Sequence, residues 1–162
     1  MYLEDKSVVE VFNKAGFYIR KRKKIQEGMF QYVPSICIQG YTELSLKTLS
    51  NTLVEKGVKT DIKTKHNNRL YRVEISGLDN INHLLKSYQI DIPSEHFIMF
   101  KNFINHRLNQ LLSNKKSRYD YRDEILYIAF KTAQVKKDLN ITVLQSITNI
   151  QNHLTVEIKD EN

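Results

Sequence analysis

Apolar and polar positions change period several times along the 162-residue chain, and the period marks the elements. The first patterned stretch is Val8, Val9, Val11 and Phe12, interrupted by Glu10. Ser7 is a suitable N-cap, so the spacing predicts a helix from about Ser7 to Asn13 or Lys14, stopped before Gly16. This helix is apolar on nearly all sides, more than one core-facing stripe requires, which makes it a candidate interface as well as a core element.

Alternation then takes over. Residues 17–24 and 29–39 are strand-like and are separated by a short segment whose turn residue is Gly28, which predicts a long hairpin. Phe17, Ile19 and Lys21 fall on one face of its first strand, and Tyr18, Arg20, Arg22 and Lys24 on the other. In the second strand Ile36 and Ile38 face the core, leaving Gln31, Val33, Ser35 and Cys37 opposite. Pro34 removes one ladder donor and points to an edge or a bulge. The period returns to helical after Gly40, with Thr42 as cap, an apolar stripe of Leu44, Leu46, Leu49, Leu53 and Val54, and Gly57 as stop. A second hairpin, 58–65 and 70–76, alternates Val58, Thr60 and Ile62 with Lys59, Asp61, Lys63 and Lys65, then Tyr71, Val73 and Ile75 with Arg72 and Glu74. Alternation this regular implies one buried and one solvated face. Gly77 ends the strand, Asp79 can cap, and Ile81, Leu84 and Leu85 predict a third helix reaching Tyr88.

The order α-β-β-α-β-β-α predicts an α+β fold, a four-stranded antiparallel sheet with helices on one face. Pro93 marks a boundary between a core of residues 1–92 and a helical extension, 93–162, packed on it. The extension reads as helices from Ser94 to Leu112 (with Phe97, Phe100 and Phe103 as core), from Tyr121 to Lys137 (with Ile125, Ile128, Ala129 and Ala133 as its apolar positions), and over about 142–153.

Composition adds one thing to this picture. Hydrophobic residues make up 41% of the chain, enough for a core, while the formal net charge is +7 with a pI near 9.4. A field of that sign favours nucleic acid or an anionic surface. Five consecutive cations, Arg20 to Lys24, make the first strand its densest point. No apolar run is long enough to span a bilayer, and the N-terminus lacks the pattern of a secretion signal. The single cysteine, Cys37, fits a reducing, intracellular compartment and a half-buried strand position.

Catalytic constellations are sparse. His66-Asn67-Asn68 is a turn, with no second histidine at useful spacing. His83, His96, His106 and His153 have no neighbouring cysteine or acidic pattern that would predict a zinc site. Lys115, Lys116 and Arg118 form a basic loop between helices, able to meet phosphate or only solvent.

The α-β-β-α-β-β-α order, with Gly-aromatic-Tyr-Ile after the first helix, Pro-x-Ile-x-Ile-Gln at Pro34 to Gln39, Leu-Tyr-Arg-Val-Glu-Ile at Leu70 to Ile75 and Asn-Ile-x-x-Leu-Leu at Asn80 to Leu85, resembles the half-domain of LAGLIDADG homing endonucleases. The resemblance covers about residues 7–90 and lays the family signature on Val8 to Gly16. It implies a dimer seam on the first helix at Val8, Val9, Val11 and Phe12, and hence a homodimer over a pseudo-palindromic duplex. In the family the last acid of the signature binds a divalent metal for phosphodiester hydrolysis; here that place is Ala15, and Glu10 occupies the place of a small contact residue. A hard cation needs oxygen ligands. Glu10 and Asn13 are the weak candidates for catalysis, and the expected cofactor set is none, with magnesium only if cleavage is retained.

Binding does not need that acid. A twisted sheet can lie in the major groove with alternate residues reaching bases and phosphates. The expected DNA contacts are Tyr18, Arg20, Arg22, Lys24, Gln31 and Ser35 on the first hairpin, with Lys59, Lys63, Lys65 and Arg72 on the second. The expected function is sequence-specific binding of double-stranded DNA without catalysis, as a transcriptional regulator. The alternatives are RNA binding, as an intron maturase or ribonucleoprotein component, and metal-dependent DNA cleavage.

Overall fold

The computed structural model describes residues 2–24, 29–40, 42–64, 71–113 and 119–140, with Lys24 and Met29 described in backbone only. The turn at 25–28, Lys65, the His66-Asn67-Asn68 segment, the basic loop at 115–118 and the expected helix at 142–153 lie outside the described residues. The elements are α1 (Asp5–Asn13), β1 (Gly16–Lys24), β2 (Met29–Gly40), α2 (Glu43–Glu55), β3 (Asp61–Thr64), β4 (Tyr71–Ser76), α3 (Leu78–Ser87) and α4 (Glu95–Ser113), followed by α5, residues 121–140. The α-β-β-α-β-β-α order read from the alternation is the observed one. Every strand pair is antiparallel, in the spatial order β1-β2-β4-β3.

Strands β1, β2 and β4 bury one face, and β3 contributes only the partly buried Ile62. Phe17 and Ile19 of β1, Tyr32, Ile36 and Ile38 of β2, and Val73 and Ile75 of β4 are all buried. They meet Val8 and Phe12 of α1, Leu46, Leu49 and Leu53 of α2, and Ile81, Leu84 and Leu85 of α3 in one apolar cluster. Burying a side chain of this size contributes roughly 1.5–3 kcal/mol. The cluster continues past Pro93 into Phe97, Phe100, Phe103 and Ile104, and on to Phe130. Phe17 is the hinge of that continuity, edge-on to Phe97 at 5.1 Å and to Phe100 at 5.2 Å between ring centroids.

Several boundaries differ from the sequence expectation. The first helix starts at Asp5 with Glu4 at the cap and no side-chain cap bond, so Ser7 lies inside it. Thr42 does cap α2, its Oγ1 accepting from the Ser45 N–H at 3.3 Å. Leu44 and Val54, expected in the α2 stripe, are 70% and 57% exposed because they fall on the flanks of the face that meets the sheet. Gly57 ends α2 with φ +85°. Its N–H bonds to the Val54 carbonyl at 3.0 Å and the Val58 N–H to that of Leu53 at 2.9 Å, the paired bonds of a Schellman stop. Gly77, and not Asp79, stands at the α3 cap. Strand β3 has only four residues, since Val58 to Thr60 run alongside α3. On α5 the buried face is Asp123, Phe130 and Ala133, while Ile125 and Ile128 are exposed. Pro34 precedes the first β2–β4 pair, Ser35 with Ser76, so it sits where β2 is paired on one side alone. Among the described residues no helix is long and apolar enough to cross a membrane.

Candidate nucleic-acid interface

The helices cover one face of the sheet and leave the other open. Register decides what stands on the open face. Tyr18 is opposite Ser35, Arg20 opposite Val33, and Arg22 opposite Gln31. On the far side of the sheet Arg72 is opposite both Gln39 and Lys63, and Glu74 opposite Cys37 and Asp61. Register thus places Tyr18, Arg20, Arg22, Gln31, Ser35, Lys63 and Arg72 on one face, while Lys59 precedes β3.

They are not equally available. Tyr18 is 42% exposed, and Arg20 and Arg22 are exposed with no acidic partner among the described residues. Gln31 is half-buried, and Ser35 is only 8% exposed because it lies between Tyr18 and Ser76 in a strand flanked on both sides. Lys63 Nζ is 3.2 Å from Glu74 Oε2 and 3.8 Å from Asp61 Oδ2, and Arg72 Nη2 is 3.6 Å from the same Glu74 oxygen. Among the described residues Lys63 and Arg72 are thus paired with acids of their own hairpin, whereas Arg20 and Arg22 of β1 are not. Lys59 is exposed, its backbone held by Asn80, whose Oδ1 accepts from the Lys59 N–H and whose Nδ2 donates to the Lys59 carbonyl, both at 2.8 Å. Lys65 and the side chain of Lys24 lie outside the described residues.

Lys21 points the other way. Its Nζ lies 3.1 Å from Glu124 Oε1 of α5 and 4.1 Å from the Phe30 ring centroid. The hydrogen bond to Glu124 raises its pKa above the ordinary value. Beside it the Tyr119 hydroxyl donates to the Tyr32 carbonyl at 3.1 Å. Helix α5 thereby braces the basic hairpin from beneath, a role for Glu124 and Tyr119 that no local pattern announces.

At the end of α1 a shallow hollow is lined by Lys14, Ala15, Gly16, Tyr18, Cys37 and Gln39, together with Val11 and Ile38. None of these residues carries a carboxylate, and burial pushes the Cys37 thiol upward, away from a thiolate. Glu10 and Asn13 are exposed on α1 and do not line the hollow. The donor set here does not fit a hard divalent cation.

The first helix divides its apolar residues. Val8 and Phe12 are 0% exposed and belong wholly to the chain's own core, so they have no surface left for a partner. Val9 and Val11 are half-buried, and Val11 borders a second, apolar groove with Leu3, Ile38, Leu44, Leu46 and Leu49. Of the four residues expected in a dimer seam, Val9 and Val11 alone can serve.

A four-stranded antiparallel sheet in the order β1-β2-β4-β3, with helices on one face and cations on the open one, defines an α+β fold. Solved structures specify it further. The chain superposes on the I-SmaMI LAGLIDADG homing endonuclease bound to cleaved DNA with a TM-score of 0.61 and 17% identity, over 80% of this chain and 43% of that one. It matches the homing endonuclease I-TnaI with a TM-score of 0.53 and 14% identity, over 82% of this chain and 99% of that one. It matches the archaeal intron-encoded homing endonuclease I-Vdi141I, complexed with DNA, with a TM-score of 0.53 and 13% identity, over 81% and 96%. No protein-family model and no curated protein matches at the level of sequence. The chain has the LAGLIDADG homing-endonuclease fold, and it spans less than half the length of I-SmaMI.

Proposed function

We propose that this protein binds double-stranded DNA in a sequence-dependent way through the open face of its sheet, does not cut it, and acts as a transcriptional regulator. The observation that carries the reading is the register of β1 on β2, which sets Tyr18, Arg20 and Arg22 in a row on the one face the helices leave uncovered. The I-SmaMI and I-Vdi141I structures are DNA complexes by their own descriptions. A guanidinium can contact guanine through two hydrogen bonds, worth roughly 1–3 kcal/mol of discrimination per pair. Tyr18 adds an aromatic edge beside them, and Gln31 a donor and acceptor across from Arg22. The hollow at the end of α1 offers Ala15 and no acid, so binding is retained there without a ligand for a catalytic ion.

One α-β-β-α-β-β-α unit with one basic hairpin reaches half of a two-fold target. The protein pairs with a second copy through Val9, Val11 and the adjoining apolar groove, bringing two basic hairpins onto a two-fold site. Selection of bound sequences from a random duplex library tests the whole reading. A single enriched, pseudo-palindromic sequence is expected, bound without nicking in magnesium. Equal affinity for all duplexes would remove sequence dependence, preference for structured RNA would reassign the ligand, and magnesium-dependent nicking would restore cleavage.

A further inference from the structure

Asp123, in the first turn of α5, is a fully buried acid at 0% exposure. Part of its environment is ordinary capping. Asp120 Oδ1 accepts from the backbone N–H groups of Arg122 at 3.0 Å and Asp123 at 3.1 Å, and Asp123 Oδ2 accepts from the Asp120 N–H at 2.8 Å. This reciprocal box satisfies the start of the helix. Gln110 Nε2 donates to Asp120 Oδ2 at 2.8 Å, and Arg107 Nη1 stands 4.0 Å from Asp123 Oδ2.

Capping leaves two atoms unexplained. Asp123 Oδ1 and His106 Nε2 are both buried, and neither has a hydrogen-bond partner among the described residues. They face each other at 3.7 Å, and Asp120 Oδ1 lies 3.9 Å from the same histidine nitrogen. These separations are too long for hydrogen bonds. An unsatisfied buried polar atom costs about 1–3 kcal/mol, and a capping box has no need of a histidine. Arg107 supplies one positive charge against two carboxylates. The three candidate donor atoms all lie within 4.8 Å of one another. Around a tetrahedral zinc ion with bonds of about 2.0–2.1 Å, neighbouring donors stand roughly 3.3 Å apart, so side-chain movements of about 0.4–1.5 Å close the set.

We propose that His106, Asp120 and Asp123 hold a zinc ion that ties α4 to the first turn of α5. One imidazole nitrogen and two carboxylate oxygens form a mixed set that suits zinc better than calcium or magnesium. The role is structural. The turn it fixes carries Glu124, which holds Lys21, and follows Tyr119, which holds the Tyr32 carbonyl, so the ion stiffens the brace beneath the basic hairpin.

The test uses the full, untagged chain, stripped with a chelator and titrated with zinc chloride, read by calorimetry and thermal unfolding. One ion per chain is expected, with Tm rising by about 5–10 °C at a hundredfold excess over the dissociation constant. Two variants locate it: His106→Gln removes the nitrogen ligand, and Asp120→Asn keeps a good N-cap while removing a charge. Both are expected to bind zinc at least tenfold more weakly while retaining the wild-type circular dichroism. Absence of stoichiometric uptake, or uptake undiminished in both variants, overturns the site. Cobalt(II) in place of zinc gives a third readout, visible absorption that is absent from the His106→Gln chain.

Discussion

The ring of Tyr18 folds back over Gly16, so closely that a Cβ at position 16 would stand 2.6 Å from the ring and from its hydroxyl oxygen. The obstruction is the far end of a side chain and not backbone, so it is Tyr18 that gives way. Gly16→Ala is expected to change folding stability by no more than about 1 kcal/mol while displacing the tyrosine. Its DNA affinity should then fall to that of Tyr18→Ala. Denaturant unfolding and fluorescence anisotropy on one duplex measure the two quantities; wild-type affinity in both variants would take Tyr18 out of the interface.

Cations on the open face fall into two groups, and salt distinguishes them. Arg20→Ala and Arg22→Ala should each weaken DNA binding and lower the slope of log K against log salt by about 1. Lys63→Ala should do less, because Glu74 already holds that ammonium. Glu74→Gln releases both Lys63 and Arg72 and is expected to tighten binding and steepen the slope. Equal losses from all three cation-to-alanine variants would show that Glu74 does not shield the second hairpin.

Asn80 gives a stability test away from that face. Its amide spans the Lys59 N–H and carbonyl and also donates to the Ser76 carbonyl at 3.2 Å, joining the entry of β3 to the end of β4. Asn80→Ala should cost about 1–2 kcal/mol, the worth of a few partly exposed backbone contacts. Hydrogen exchange should quicken first at residues 59–64. Uniform quickening across the sheet would mean that Asn80 serves the global fold and not this edge.

His96 sets a dependence on pH. Its ring stacks on Phe130 at 4.7 Å, and burial lowers its pKa below the ordinary 6.5, so the folded protein keeps it neutral. The unfolded chain takes up the proton at the ordinary value. Stability is therefore level above about pH 6.5 and falls as pH drops through that point, until the folded-state pKa is passed. His96→Phe, which keeps an aromatic ring against Phe130, should flatten the decline in Tm below pH 6.5. An unchanged decline would assign it to other groups.

Much of this is legible in the order of residues alone. Period-two alternation in 17–24, 29–39 and 70–76 fixed which residues share the open face, because each strand has one side buried and a one-residue slip would expose Ile19, Ile36 and Val73 together. Gly57 was legible because its backbone adopts a conformation few other residues accept. The His106 cluster was not, since Asp120 and Asp123 lie beyond a loop and meet the histidine only when α5 turns back along α4. Nor was the outward placement of Leu44, Ile125 and Ile128: helical periodicity names a stripe but not how much of it a neighbour covers. The pairing of Lys63 and Arg72 with Glu74 is cross-strand or two residues apart, and depends on register that composition does not carry.

The division of labour along α1 has a consequence for how such a protein can change. Val8 and Phe12 are locked into the interior, whereas Val9 and Val11 are half-buried and Val11 borders the groove beside α2. The residues that hold the helix in place and those that a neighbour would touch are different residues on the same two turns. If the chain pairs through this edge, variation at positions 9 and 11 touches only half-buried side chains, so the choice of companion can evolve at less cost to the fold than variation at positions 8 and 12.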